Sequence, residues 1–409
     1  MNRQRTRQSA AILVALALCY AFQMTGFVMI SPLFARLFES FGTGVQALGT
    51  SAMAYALTGT IAAPFMGMLA DRIGRRPIIL LSLAAYALAF SGYALAASAW
   101  LLILLRGLAG LFTAGLVPAI MSSVGDLAAE NRRAQWIGIV NGGASGGWVV
   151  GPYVGGLLYD HFGYVLPFVI SIALELGALL LALFFVPETY TPSTHPVGPR
   201  PAWTQGFKAL PALPAFYLIM LISFGVMFTY AFIEPQYMFY VYDDLAWTSA
   251  QLGLVMGAYG MAFMFGEFAL GQLSDRLGRK PVLVLGLALF SAQSIGLIVF
   301  QDMTWIMVSF ILTGLGNALF DPALNALLLD TTPPENTGRI MGIKGTVSSL
   351  GNMLGPGLVV LVTPFVGPRV VFLISAVLIF MLTLTSAFAL RAPRGNKVPS
   401  RVSNAAVSR

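Results

Sequence analysis

The chain holds one cysteine and two histidines in 409 residues. A lone thiol, Cys19, closes no intrachain disulfide and supplies no cysteine cluster for a metal. His161 and His195 fall in loops without ligand spacing, so no metal site is read. Charge is scarce as well: Asp, Glu, Lys and Arg make up 10% of the residues, against about 25% in a soluble domain. No glycine-rich phosphate loop of the P-loop type occurs, so ATP does not drive this chain directly. No catalytic constellation stands out, and neither an enzyme nor a cofactor is expected. The short alternating segments of a membrane β-barrel are missing too.

What fills the chain is apolar: 57% hydrophobic, mean hydropathy +0.81. Twelve apolar spans cover 10–34, 46–69, 78–98, 101–125, 134–159, 164–187, 214–239, 250–273, 281–301, 304–329, 340–364 and 368–391. Each has roughly 20 or more residues, enough for a bilayer core about 30 Å thick. A lone spanning segment must satisfy its own backbone, so the spans are read as helices. The fold class expected is an all-α membrane protein with twelve transmembrane helices. Arg3, Arg5 and Arg7 precede the first span, but that span is too long for a signal peptide and lacks a small-x-small cleavage site.

Basic residues lie unevenly. One set of loops and ends holds 19 of the 23 Lys and Arg, while the opposite loops hold Arg36 and Arg369 beside Glu39, Asp160, Asp243, Asp244 and Asp302. Both termini are therefore expected in the cytoplasm. The net charge of +7 is this bias and does not point to nucleic acid. A polar stretch rich in Pro, Ser and Thr separates spans six and seven. Expected domains are a bundle over 1–187, a cytoplasmic linker over 188–213, a second bundle over 214–391 and a cytoplasmic tail over 392–409.

An eleven-residue charged knot occurs twice, as GMLADRIGRRP over 67–77 and GQLSDRLGRKP over 271–281, with seven identities at an offset of 204. Gly49 and Gly253, Gly110 and Gly314, Pro118 and Pro322, Asp126 and Asp330, Gly138 and Gly342, and Gly151-Pro152 and Gly355-Pro356 keep that offset of 204. Matches so widely spread indicate a duplicated half, arranged as a parallel repeat about an axis along the membrane normal. In the knots, Asp71 and Asp275 sit at helix ends, where a carboxylate caps a neighbour or pairs with a base. Arg75 and Arg279 can reach Asp126 and Asp330, with Arg72 and Arg276 in the same clusters. Gly74 and Gly278 permit the tight turn. The expectation is a cytoplasmic latch that holds while the site faces outward and breaks when it opens inward; the plainer reading is a topology anchor.

The doubled knot resembles the signature of the major facilitator superfamily in the loops after spans two and eight. Leu102, Arg106 and Gly110 match that family's motif with an intramembrane arginine, with Ala109 where Gln is frequent. Gly147, Gly151, Pro152, Gly155 and Gly156 in span five match a packing motif associated with antiporters, and Pro187-Glu188-Thr189 looks like the drug-exporter branch. The resemblance covers essentially the whole chain. It implies two pseudo-symmetric six-helix bundles about a central cavity, working by alternating access. It also implies a small-molecule substrate, protons and membrane lipids as partners, a monomer, and a bacterial inner membrane.

The halves also disagree in informative places. A charge inside the membrane costs about 2.5–3.5 kcal/mol on insertion scales, so unshared charges need a reason. Arg106 aligns with Phe310, Asp321 with Val117, Glu234 with Ile30, Glu267 with Ala63 and Glu175 with Ile379. Gly314, Asn317, Asp321 and Asn325 share one face of span ten. Met227, Tyr230, Glu234 and Tyr237 share one face of span seven, where an acid among aromatics and a thioether suits a lipophilic cation. An acid on span seven and another on span ten resembles some Gram-positive multidrug exporters. Asp321, Glu234 and Arg106 are therefore the candidates for proton coupling. Gln23, Phe27, Asn141, Tyr230 and Asn317 are the candidates for lining the substrate cavity. The structural alternatives are an Asp321 bonded to Asn317 or Asn325, a solvated Glu234 and an Arg106 that snorkels outward. Span one carries Gln23 where many such antiporters carry an acid. The leading expectation is proton-coupled efflux of amphipathic, cationic drug-like compounds. A facilitator or exporter of one metabolite, sugar or lipid, or a non-transporting sensor, remains the alternative.

Overall fold

The computed structural model describes residues 2–190, 214–270, 273–332 and 336–390, with side chains for all of these except 2–8 and 275. Most of the expected linker and all of the expected tail lie outside the described residues. The spanning helices are α1 (Asn2–Ile30), α2 (Val45–Ile73), α3 (Arg75–Ala94), α4 (Ala99–Leu127), α5 (Arg133–Phe162), α6 (Val165–Phe185), α7 (Pro214–Asp244), α8 (Ser249–Leu270), α9 (Arg279–Val299), α10 (Met303–Asp330), α11 (Thr337–Val362) and α12 (Pro368–Ala389). No strand occurs among the described residues. Eleven of these helices are long and apolar enough to cross a membrane. The twelfth, α5, spans 30 residues but is diluted by glycine. Span one, expected to run to residue 34, instead breaks at Ser31-Pro32, and a short helix, Leu33–Ser40, follows. Proline supplies no amide donor to carry the helix through that point.

The duplicated sequence becomes duplicated packing. A Cβ on Gly110 would run into the carbonyl oxygen of Tyr55, and one on Gly314 into that of Tyr259, the same pair of positions 204 residues apart. Gly147 and Gly151 let α5 lie against the backbone of α1 at Met24, Thr25 and Met29. Gly351 and Gly355 do the same for α11 against α7 at Phe224, Phe228 and Ala231. Glycine removes the side chain that would keep two helices apart, so each bundle is held by close backbone approach.

At the knots, α2 stops at Gly74 (φ +104°) and α8 is followed by Gly278 (φ +91°), backbone angles that L side chains rarely adopt. The Glu188 carboxylate accepts from the amides of Arg75 (3.0 Å) and Arg76 (3.2 Å). It thereby satisfies first-turn donors of α3 that have no partner within the helix. A Cβ at Gly74 would also displace that carboxylate from its place.

Among the described residues, the close approaches between the halves run from the end opposite the knots to mid-span. There α5 meets α8 and α2 meets α11. A Cβ at Gly253 would collide with the carbonyl of Pro152, and one at Gly49 would come within 3.2 Å of the carbonyl of Pro356, the partner of Pro152 under the repeat. A Cβ built on Gly257 or Gly260 would lie 2.6 or 2.9 Å from the carbonyl oxygen of Val149 or Trp148. Asp160, at the end of α5, accepts from the amides of Ser249 (3.0 Å) and Ala250 (2.8 Å) and so caps α8 across the divide. Arg36 donates to the carbonyl of Trp247 (3.2 Å) and lies over the ring of Tyr242 (4.0 Å). Toward the knots the same helices part: a Cβ on Gly138, Gly142, Gly146, Gly338, Gly342 or Gly345 would meet nothing within 4 Å. The molecule is a wedge, sealed at the far end and open at the knot end.

Adding a large side chain at a close backbone contact costs about 1–3 kcal/mol, and here the cost falls on the sealed state alone. Gly253→Leu is expected to lengthen spin-label distances across the far end. Gly142→Leu, which points into open space, should leave them unchanged.

Candidate functional site

Arg106 occupies the wall of the wedge on α4. Its side chain is 8% exposed, and the guanidinium lies over Phe34 (4.3 Å to the ring centre) and Tyr55 (5.2 Å). It turns inward onto these rings and does not snorkel to the surface. Ring faces compensate a desolvated cation in part, while its Nε has no hydrogen-bond partner. Across the divide, Glu234 on α7 lies within electrostatic reach of Arg106, and it also acts on Tyr230 and Tyr237. The two halves therefore each bring one group of opposite formal charge toward the cavity, without an ion pair or hydrogen bond between them among the described residues.

Around Glu234 the walls are aromatic. Trp148 of α5 closes a small pocket with Tyr230, Tyr237, Met256, Tyr259, Gln293 and Phe310. Tyr237 meets Phe310 edge to face at 5.6 Å, and Phe224, Phe228 and Phe232 stack along α7 at 5.7 and 5.8 Å. On the facing wall, Phe27 packs against Tyr55 (6.0 Å) and Tyr86 (6.4 Å). Gln23 is buried at 1% exposure on α1, and Asn141 is exposed on α5 in the open part of the wedge. Asn317 donates to the hydroxyl of Tyr259 (2.9 Å) rather than to Asp321.

Asp321 belongs to a second cluster, in the knot-side half of the C-terminal bundle. Its carboxylate accepts from Lys344 of α11 (3.0 Å) and from Asn325 (3.1 Å), and Lys344 also reaches the amide oxygen of Asn325. The Asp321 side chain is 46% exposed, while Lys344 is 12% exposed. Glu267 of α8 lies close enough to feel Asp321. The sequence candidates thus divide into a cross-half group at Arg106 and Glu234 and a one-half group at Asp321.

In the knots, Arg75 pairs with Asp126 and Arg279 with Asp330. Arg75 also donates to the carbonyl of Ser122 (2.7 Å), and Arg279 to that of Ala326 (2.6 Å). Both pairs lie inside one half and are intact although the knot end is open. Asp71, Arg72 and Arg276 are exposed, and the Asp275 side chain lies outside the described residues.

Several residues escaped the sequence reading. Lys344 aligns with Val140 under the 204-residue offset, so the comparison that singled out Asp321 reaches it too. Tyr55 and Tyr259 were passed over because the halves share them. Asp160 and Arg36 read as loop charges, since nothing in the sequence places them against α8 and Trp247.

A model described as Major Facilitator Superfamily matches residues 16–242 and 219–407. The tetracycline resistance protein, class G, of Vibrio anguillarum is 30% identical over 312 residues, covering 74% of this chain and 77% of that protein. The multidrug resistance protein MdtG of Proteus mirabilis is 28% identical over 383 residues, 90% of this chain and 93% of that protein. Among solved structures, the nucleoside transporter NupG superposes with a TM-score of 0.78 at 13% identity, covering 93% of this chain and 100% of that one. A bacterial homologue of the human lysosomal transporter Spinster, in an inward-facing and occupied conformation, gives 0.75 at 17% identity, covering 94% and 97%. At these identities the structural likeness is one of fold.

The Asp321–Lys344 pair is half exposed, so its coupling should be modest, about 0.5–1 kcal/mol. A double-mutant cycle of Asp321→Asn and Lys344→Met, read by thermal unfolding in detergent, should return a coupling of that size. Strictly additive losses would show the pair to be energetically idle.

Proposed function

Because this chain belongs to the major facilitator superfamily, we propose that it exports amphipathic, cationic drug-like compounds in exchange for protons, by alternating access. The observation that carries this reading is the acid at the wedge's apex. Glu234 lies on α7 between Tyr230 and Tyr237, which line the aromatic pocket, and within electrostatic reach of Arg106 on the other half. A lipophilic cation gains from π faces and from a carboxylate held out of bulk water. The names of the relatives, which speak of tetracycline and multidrug resistance, support the substrate class.

Asp321 is the second acid of the cycle. Its pair with Lys344 ties α10 to α11, and a proton taken up there releases Lys344 and changes how the two helices sit together. Gln23, Phe27, Asn141 and Asn317 complete the lining. The protein sits in a bacterial inner membrane as a monomer, with both termini and both knots in the cytoplasm, so the open end is the loading side. Outward-facing apolar side chains such as Leu88 and Phe388 meet lipid. The bundles divide at the 188–213 linker, and the 392–409 tail is cytoplasmic. The Arg75–Asp126 and Arg279–Asp330 pairs brace each half as the two rock. One observation favours a second reading: the unbonded Nε of Arg106 could instead hold the anionic group of a specific metabolite.

Ethidium movement in everted vesicles tests the first reading. Wild type should accumulate ethidium only with an acid-inside pH gradient. Asp321→Asn should lose that dependence, and Glu234→Gln should weaken ethidium binding. Intact gradient-driven transport in both variants would remove these acids from coupling. No gradient-driven movement in wild type would turn the search to an anionic metabolite.

A further inference from the structure

We propose that a cavity at the far end of the C-terminal bundle binds the headgroup of an aminophospholipid, with Arg369 and the first turn of α12 holding the phosphate and Asp244 the ammonium. The inference goes beyond the transport reading and does not depend on which compound the protein moves. The cavity measures about 350 Å³ and is lined by Tyr240 and Asp244 of α7, by Gln301, and by Gly367, Arg369 and Val370 at the start of α12. Small-molecule pockets run from about 300 to 1,000 Å³. Tyr240, Asp244, Gln301 and Arg369 bring polar side chains to it, and among the described residues none of those side chains has a hydrogen bond or an ion pair.

Tyr240 is 4% exposed, and its ring packs edge to face on Phe372 of α12 at 5.3 Å. Its hydroxyl bonds to nothing among the described residues and is not sealed inside the bundle; the opening it has is onto this cavity. Arg369 and Asp244 bring opposite charges to the same cavity and do not pair with each other. Two such charges held apart leave room for a ligand that carries both. At the start of α12, Pro368 has no amide proton, the amides of Val370 and Val371 turn back to Gly367 (3.1 and 3.5 Å), and the Arg369 amide has no acceptor among the described residues. An open amide at a helix start, beside a guanidinium, suits a phosphate. A carboxylate without donors suits a primary ammonium, which has three N–H groups to give.

What continues from the cavity makes the occupant a lipid rather than a free zwitterion. Val370, Leu373, Val377, Phe380, Leu384 and Phe388 follow at spacings of three and four on one face of α12, and all are exposed. Acyl chains cover such a stripe in a membrane, and it begins at Val370 of the cavity itself. Phe365 and Trp305 stand exposed at the same end, as aromatic residues do at a membrane interface. The repeat does not require these polar groups: under the 204-residue offset Tyr240, Asp244, Gln301 and Arg369 match Arg36, Ser40, Ala97 and Val165. The backbone that presents them is unusual as well. The last turn of α7, Tyr240–Asp244, is a π-helix, with the Leu245 amide donating to the Tyr240 carbonyl (3.2 Å). Ala246 follows at φ +52°, where the other half has Gly42 at φ +69°. π turns and left-handed residues other than glycine concentrate at functional sites. The same loop carries Trp247, whose carbonyl accepts from Arg36, so a lipid held here steadies one side of the seam between the halves.

The test uses the full-length protein, delipidated in dodecyl maltoside and titrated with phosphatidylethanolamine, phosphatidylcholine or phosphatidylglycerol under native mass spectrometry. Phosphatidylethanolamine should bind tightest, because the choline head offers Asp244 no N–H and the glycerol head no cation. Arg369→Gln should weaken its first binding step about tenfold, the effect of losing a charge-assisted hydrogen bond. Asp244→Asn should erase the preference over phosphatidylglycerol. Both residues are exposed, so neither change removes packing. Tyr240→Phe keeps the ring on Phe372 and should weaken binding by a smaller factor. Free phosphoethanolamine at the same concentration should not displace the lipid. Binding equal in wild type and Arg369→Gln, or equal for the three lipids, would overturn the site. Displacement by free phosphoethanolamine as effective as by lipid would overturn the lipid assignment and make the cavity a site for a soluble zwitterion.

Discussion

Backbone meeting backbone across the far end is the contact on which the rest of this molecule depends. It exists because Gly49, Gly253, Gly257 and Gly260 carry no side chain where Pro356, Pro152, Val149 and Trp148 present their carbonyls. Lipid tails are as apolar as leucine, so helices in a membrane gain little by hiding apolar surface from one another. They gain by close packing and by interhelical hydrogen bonds. Sealing one end this way leaves the other end free to part, and the position of the cavity follows. The Asp160 cap on α8 and the Arg36 contact to Trp247 add polar bonds to the same seam, at the rim where water is near.

Charge is the second constraint. Inside the bundles the charged groups are few, and the structure treats them unequally. Arg106 is held on rings, and Asp321 and Lys344 hold each other. Each arrangement is conditional, because a ligand, a proton or a movement of one half can replace the partner. In the proposed cycle this makes the charges a means of coupling rather than of stability. The knots are different: their Arg–Asp pairs and the Glu188 cap lie within one half and stay formed while that end is open.

The sequence reading went furthest where the chain repeats itself. The 204-residue offset and the apolar spans were enough for twelve helices in two like bundles, and the glycines of span five pointed to close packing before any partner was known. The same offset exposed Asp321 and Arg106 by their lack of a counterpart, and it covers Lys344 as well, whose counterpart is Val140. It could not single out Tyr55 and Tyr259, because a residue present in both halves looks like scaffold whatever it does.

Hydrophobic length, glycine spacing, charge bias and internal duplication are properties of neighbouring residues or of a fixed offset, so the chain alone determined the fold class and the positions of its unusual charges. Which charge meets which, which face of α5 lies on α1 and which on α8, and which end of the wedge is shut are properties of residues far apart in sequence. Arg106 and Glu234 are 128 positions apart, and Asp160 caps an amide 89 residues on. Those relations arise only when the two halves dock. The tertiary structure therefore decided which of these groups meet.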